Sequence, residues 1–468
     1  MSIQREYPLE PMKMRMVDSL LTLAVVVLCI AGSVAFHISM FFGFATANTL
    51  LLFYFGRKGF SKKHLMREAA KSIYSCRVVY IVIFLMGASI ASWLASGVIP
   101  AIILYGMKFF NPQIFLLMSF WICLIVAMIM GTALGTISTV GIALLGIGQG
   151  FGLPLPMVLG AIISGAYVSD KLSPISGLVN MNLGLSGIAY KDFFKRSMPT
   201  FVPVVIICSL VYWLLGIQAA GAGNLGDVQK LQTALQSTFQ LTPLLFLMPL
   251  LLIGMTVYGV KIHKSMGICI VVGAGIAVFY QGFSLNHMLG WLLNGFKLDP
   301  SAGMLTQLLK GGGVMPMMEV LFIVACAVAF AGMIEATGAL KPFINAIIKP
   351  TDGIGMTQLK TGLLSILFLS IACDQSLAII LPVKSLKPHY ESLGMDSVDL
   401  SRVVFDTGVM LAPIQFWNVN AIIITAMTGL GAADYGRYAV LIWIFPLVAT
   451  AFGFLNEWQR RRTIHEKF

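Results

Sequence analysis

Residues 370–382 read SIACDQSLAIILP and place Asp374, Gln375 and Ser376 inside an apolar run from Gly362 to Val383. Insertion scales put an aspartate at the centre of a membrane helix at a cost of about 2.5–3.5 kcal/mol, so a carboxylate kept there usually has a task. Burial favours the neutral form of a carboxylic acid, and such a group can hold a proton. Ionised, it offers hard oxygen ligands to Na+. Exclusive occupancy of one carboxylate couples two ion gradients with no covalent step, and Asp374 is the leading candidate for that role.

Three further polar islands interrupt apolar sequence. GTALGTIST (131–139) supplies Thr132, Thr136 and Ser138 beside backbone carbonyls that coordinate a cation if the helix unwinds there. Its Gly131-x-x-x-Gly135 spacing also reads as a plain helix-packing motif. SGAYVSDKLSPISGLVNMN (164–182) carries Asp170, Lys171, Ser173, Ser176, Asn180 and Asn182; Asp170 and Lys171 either serve an ion or form a neutralised structural pair. VFDTGVMLAPIQFWNVN (404–420) carries Asp406, Thr407, Gln415, Trp417, Asn418 and Asn420. There Asp406, near a predicted helix start, is either a site residue or a helix cap. Glu335, in AGMIEATGALKP (331–342), is the last acid of interest.

The elements that hold these islands belong to a membrane. Of 468 residues, 58% are hydrophobic and 11% charged, against roughly 25% charged in soluble domains. Several stretches reach the ~20 residues that cross a bilayer core. The first apolar run lacks a small-residue cleavage site and is read as a retained helix. The net charge of +12 is explained by loop asymmetry at a lipid bilayer, not by nucleic acid. Seven cysteines and six histidines are scattered singly, which indicates neither a metal site nor a disulfide framework. No HExxH, Walker A or nucleophile-elbow pattern supports an enzyme or an ATP-driven pump, and no cofactor is expected.

Predicted helices cover 17–36, 38–55, 113–149, 156–182, 199–217, 241–259, 265–283, 361–388, 402–427 and 437–457. Segments 78–107 and 318–348, each interrupted by small residues, are read as re-entrant hairpins, whose broken backbone must pack in protein or line a watery cavity. On this count the N-terminus and segments 56–77, 108–112, 190–198, 260–264, 384–402 and 458–468 face the cytoplasm with 23 of 31 Lys and Arg; seven lie outside, and Lys171 is in the core. Lys341, Lys349 and Lys360 fit this poorly, since they fall outside.

A shift of 241 residues lays ASG (95–97) on ATG (336–338) and TALGT (132–136) on CDQSL (373–377), and a slightly smaller one lays SPI (173–175) on API (412–414). Five crossings per half invert the second half. Inverted repeats with broken helices meeting near the midplane are how many secondary transporters build one alternately accessible site. The expected fold is therefore an all-α polytopic membrane protein of about ten transmembrane helices plus two re-entrant hairpins in two inverted repeats with interrupted helices. Its parts are a cytoplasmic tail 1–16, a first repeat 17–218, an external linker 219–240, a second repeat 241–457 and a cytoplasmic tail 458–468. The stretch 284–316 has amphipathic character suited to the outer interface.

At these islands the chain resembles the NhaC family of sodium/proton antiporters. The likeness runs from about residue 20 to 457 through GTALGTISTVGIALLGIG (131–148), SGAYVSDKLSP (164–174), GMIEATGAL (332–340), SIACDQSLAIILP and the DTG…AP…WN series from Asp406 to Asn418. It implies a proton-coupled exchanger in the cell membrane with Na+ and H+ as partners, read first as a Na+/H+ antiporter working by alternating access, from a superfamily whose members are often homodimers. After S-P-x-S the family usually continues with an aspartate and small hydroxyl residues; here Gly177, Leu178 and Val179 follow. The lost acid leaves the site less negative and weakens the case for simple Na+/H+ exchange. Relatives of the family also carry organic acids such as malate and lactate, or amino acids. In that case Lys171 and the Trp417–Asn418 pair would help hold the organic substrate. The third reading, a non-transporting receptor or scaffold, has no evident need for opposed polar breaks.

Overall fold

A computed structural model describes residues 14–36, 38–219, 225–298, 305–306, 309–340, 342, 346–349 and 351–465. The predicted tails, linker and outer loop extend past these, so residues 1–13, 220–224, 299–304, 307–308 and 466–468 of those predictions lie outside the described residues. The described chain is helical, and ten of its helices are long and apolar enough to cross a membrane.

In chain order the helices are α1 (Met16–Ala35), α2 (Met40–Arg57), α3 (Lys62–Ser75), α4 (Arg77–Ala95), α5 (Val98–Phe109), α6 (Phe115–Met130), α7 (Ala133–Thr136), α8 (Ile142–Gly150), α9 (Leu155–Ala166), α10 (Val168–Leu172), α11 (Gly177–Ser186) and α12 (Tyr190–Ala219). The second half continues with α13 (Leu225–Thr238), α14 (Leu247–Val257), α15 (Ile262–Gly275), α16 (Leu285–Asn294), α17 (Pro316–Thr337), α18 (Ile354–Ala372), α19 (Gln375–Ser392), α20 (Ser397–Asp406), α21 (Val419–Thr428) and α22 (Val440–His465).

Two segments predicted as interrupted crossings turn back instead. In the second half, Thr357 bonds His389 at 3.3 Å, the Tyr390 hydroxyl donates to Thr361 at 3.0 Å and Ser365 donates to the Ala378 carbonyl at 2.9 Å. α18 and α19 are thus antiparallel arms with their tip at Cys373–Asp374. In the first half, the rings of Phe115 and Phe151 meet edge to face at 5.4 Å, which makes α6 and α7–α8 arms with their tip at Gly131–Thr132.

Conversely, the predicted hairpin 78–107 runs through, and of the predicted hairpin 318–348 the helix α17 crosses from end to end, residues 341 and 343–345 lying outside the described residues. Ser19 at the start of α1 donates to the Ala339 carbonyl at 2.5 Å, and Lys58 at the end of α2 pairs with Asp18 at 2.8 Å. These contacts put the end of α17 on the face where α1 begins, called the near face here. α4 runs alongside α15, Ser92 donating to the Ile270 carbonyl and Gln281 to the Ser96 carbonyl, both at 3.0 Å, so its end lies on the far face. The count of ten crossings, two hairpins and two interrupted helices holds, but the hairpins are 115–150, entering from the far face, and 354–392, entering from the near face. The interrupted crossings are α9–α11, open at 173–176, and α20–α21, open at 407–418.

This exchange removes the misfit of Lys349 and Lys360, which join the near face, while the segment 108–112 moves to the far face; Lys341 lies outside the described residues. Cysteines placed at Asp352 and at Gln113 in a cysteine-free background should therefore label from opposite sides of sealed vesicles. Labelling of both from one side would refute the hairpin assignment.

The repeat offset is 242 at the functional turns, one more than the match of TALGT on CDQSL gave and three more than the match of SPI on API. Gly131 and Cys373 are both left-handed, at φ 69° and 57°, and Thr132 and Asp374 follow in extended N-cap geometry at φ −150° and −141°. Ser176 and Asn418 open α11 and α21, and the left-handed Gly187 and Gly429 close them. Only at Gly97 and Gly338 does 241 hold. The linker is also more than a polar connector, because α13 buries Leu231 and Leu235. α16 stacks His287 on Trp291 and exposes Leu285, Leu289 and Leu293, the amphipathic character expected of that stretch.

Candidate functional site

Each hairpin tip is seated in the gap of an interrupted helix of its own half. Ser173 donates to the Met128 carbonyl at 2.8 Å, and the Ala133 amide donates to Asp170 at 3.3 Å. In the second half the Val419 amide donates to the Cys373 carbonyl at 3.0 Å and the Trp417 indole to the Ser370 carbonyl at 2.7 Å. An opened helix leaves orphan amides and carbonyls, and here each gap supplies the other element's missing partner. This is why polar residues survive in otherwise apolar segments.

The halves then meet through side chains. The Lys171 ammonium donates to Asp406, 235 residues away, and both are fully buried. Arg402, one turn before Asp406 on α20, pairs with the other carboxylate oxygen at 3.2 Å and gives its second amino group to Gln358 at 3.1 Å. Its Nε has no hydrogen-bond partner. Lys171 lies over the Phe445 ring at 4.4 Å and Arg402 over Phe452 at 4.9 Å, a setting that suits desolvated cations. Asp170 touches both hairpins: it accepts from Ala133 of the first and from the Gln375 amide of the second.

Three expectations change. Lys171 is paired with Asp406, not with its neighbour Asp170. Asp406 is no N-cap, since it ends α20; Asp396 caps that helix, accepting from the Val398 and Asp399 amides at 3.1 and 3.0 Å. Arg402, placed in a cytoplasmic segment by sequence, is fully buried. The predicted helix began at 402, one turn too late, which hid it. The Arg–x–x–x–Asp spacing of an intrahelical pair was the available signal.

The remaining candidates take supporting places. Asp374 is only partly buried and accepts from the Ser376 amide at 2.8 Å as the tip's cap. Thr132 caps α7 in the same way at 3.3 Å. Thr136, Ser138 and Thr407 donate to carbonyls of their own helices at 2.7 to 3.0 Å. Ser176 is buried at the start of α11. Asn418 accepts from the Asn420 amide at 3.0 Å while its own amino group is unpartnered. Glu335 is exposed on α17 beside Lys384 and Ser385 and takes no part in the cluster.

A vestibule of about 950 Å³ opens on the near face and is lined by Lys195, Arg196, Gln358, Asp396, Asp399 and Phe452. Arg196 closes part of its wall, at 3.4 Å from Asp396 and 3.5 Å from Asp399. Gln358 links this space directly to Arg402. Among the described residues no group of His, Cys, Asp and Glu is arranged to hold a resident metal.

Inverted halves, broken helices and a buried charge cluster between the hairpin tips define a multi-pass secondary transporter. A sequence model described as the Na+/H+ antiporter family matches residues 165–456. The chain belongs to that family and is a secondary antiporter. It is 29% identical over 402 residues, 86% of either chain, to the malate-2H+/Na+-lactate antiporter of Bacillus subtilis (strain 168). It is 27% identical over 399 residues, 85% of this chain and 82% of the relative, to the arginine/ornithine antiporter ArcD of Halobacterium salinarum. It is also 27% identical over 444 residues, 93% of this chain and 97% of the relative, to the Na+/H+ antiporter NhaC of Bacillus subtilis (strain 168).

Proposed function

We propose that this antiporter exchanges a small organic acid across the cytoplasmic membrane, using Na+ and H+ as coupling ions and no enzymatic step. The observation that carries this reading is the pair of fully buried cations, Lys171 and Arg402, that share one carboxylate, Asp406. Taken alone the triad holds one positive charge more than negative in a place where an unpaired charge is costly. A substrate carboxylate bound between them supplies the missing charge, and the unpartnered Nε of Arg402 supplies a donor. Gln358 and the vestibule give the route to it.

Both termini are assigned to the cytoplasm, because the near face gathers the basic loops. Repeats spanning 17–218 and 241–457 rock about the cluster, with the hairpin tips at Thr132 and Asp374 breaking and remaking contact on alternate faces. The second reading is plain Na+/H+ exchange, favoured by Asp170, a buried acid without a cationic partner. Proteoliposomes separate the two. Radiolabelled malate or lactate on one side should exchange with unlabelled acid on the other and should move against its gradient under imposed ΔpH or ΔNa+. If ²²Na+ uptake under ΔpH proceeds at full rate with no organic acid present, the cargo reading is replaced by the second.

A further inference from the structure

We propose that Asp170 is the proton-carrying residue of this antiporter, distinct from Asp406, and that its protonation sets the charge with which the Lys171–Arg402 cluster meets a substrate anion. The inference rests on the cargo reading only for the identity of that anion.

Among the described residues Lys171, Arg402, Asp406 and Asp170 sit buried between the hairpin tips, and the next buried acid, Asp399 one turn before Arg402, is paired with Arg196 towards the vestibule. The first three form one ion-paired unit. Asp170 is left with neutral donors alone: the Ala133 amide at 3.3 Å, the Ser169 hydroxyl at 3.4 Å and the Gln375 amide. Its own helix presents Tyr167, whose hydroxyl is unpartnered, and Lys171, committed to Asp406. Of the elements packed against it, α7, α11 and residues 409–414 carry no titratable residue. α6 carries only Cys123, which lies against Gly165, and the second tip carries Cys373 and Asp374, the latter turned to the Ser376 amide. Among the described residues no charged group is bonded directly to Asp170.

Ionised Asp170 makes the four-residue set neutral, and a proton on it makes the set singly positive. A carboxylate then binds together with the proton, and by linkage each raises the other's affinity. The same proton reaches the gates. Asp170 is the acceptor shared by an amide of the first tip and a side chain of the second, so protonation weakens its hold on both tips at once. No bond is made or broken except that of the carried proton.

The experiment compares wild type, Asp170→Asn and Asp170→Glu in liposomes, with malate as probe and internal pH read by pyranine. Wild type should accumulate malate under ΔpH and move protons with it. Asp170→Asn should lose ΔpH-driven accumulation and proton movement at least tenfold, keep malate counterflow at a reduced rate, and lose the pH dependence of that counterflow. Asp170→Glu should restore ΔpH drive with a displaced pH profile. Proton-coupled accumulation by Asp170→Asn would overturn the proposal, and so would an Asp170→Glu protein with an unshifted profile. Should Asp170→Asn fail to fold, the glutamate profile alone decides. If wild type carries no organic acid, the cargo reading falls, and the same variants are read with Na+ in place of malate: proton flux that survives in Asp170→Asn then overturns the role given to Asp170.

Discussion

Asp406→Ala is expected to abolish transport and to cost about 3–5 kcal/mol of stability, the range for removing one partner of a buried ion pair. The carboxylate lies between Lys171 and Arg402, and all three are fully buried. Its loss leaves two cations facing each other beside Phe445, Phe452 and Gln358, with Asp399, already paired with Arg196, as the next acid. Thermal unfolding in detergent reads the loss directly. The double variant Lys171→Gln, Asp406→Asn should regain part of the stability, because one of the two uncompensated cations is gone and the new amide oxygen can still accept from Arg402, while transport stays absent. If the single and double variants melted alike, the ion pair would not be the source of the effect. Equal stability of Asp406→Ala and wild type would show that the three charges do not meet.

Gly165→Val is the second large effect. α6 and α9 descend side by side, and a Cβ at Gly165 would fall on the Phe120 carbonyl oxygen and close to Cys123. Backbone cannot be moved as a flexible side chain can, so the outer arm of the first hairpin must shift. Overpacking of this kind costs typically 1–3 kcal/mol. The functional loss should be larger than the stability loss. Met128, which holds Ser173, lies at the end of that same arm, and Ala133, which holds Asp170, lies just past the tip it carries. Exchange should fall at least tenfold in protein that still elutes as a folded species. Gly184 and Gly254 would meet nothing within 4 Å, and their alanine variants should transport at the wild-type rate. A transporting Gly165→Val would mean that the hairpin and α9 are not in contact there.

The sequence by itself determined that this is a membrane protein, where its apolar spans are interrupted and which residues gather at the interruptions. An apolar run admits few polar groups, so each one stands out against its neighbours. The composition, the charges flanking each span and the approximate repeat that lays TALGT near CDQSL all follow from local chemistry, while the exact pairing of Gly131–Thr132 with Cys373–Asp374 is set by backbone conformation. Tertiary structure decided which way the chain leaves a break. A left-handed residue followed by an extended cap ends one helix and starts another, yet it leaves open whether the next arm returns or continues. That choice is made by what the arm packs against: Phe115 on Phe151, Tyr390 on Thr361, Ser19 on Ala339. Tertiary structure also chose the partners of the charges. Lys171 is bonded across 235 residues to Asp406 instead of to the adjacent Asp170, because neighbours on a helix do not face each other. Arg402 read as a surface cation until α20 was seen to begin at Ser397 and to carry it inward. Spacing along a chain reports on faces and ends of helices; which buried charges neutralise one another depends on how separate segments are brought together in space.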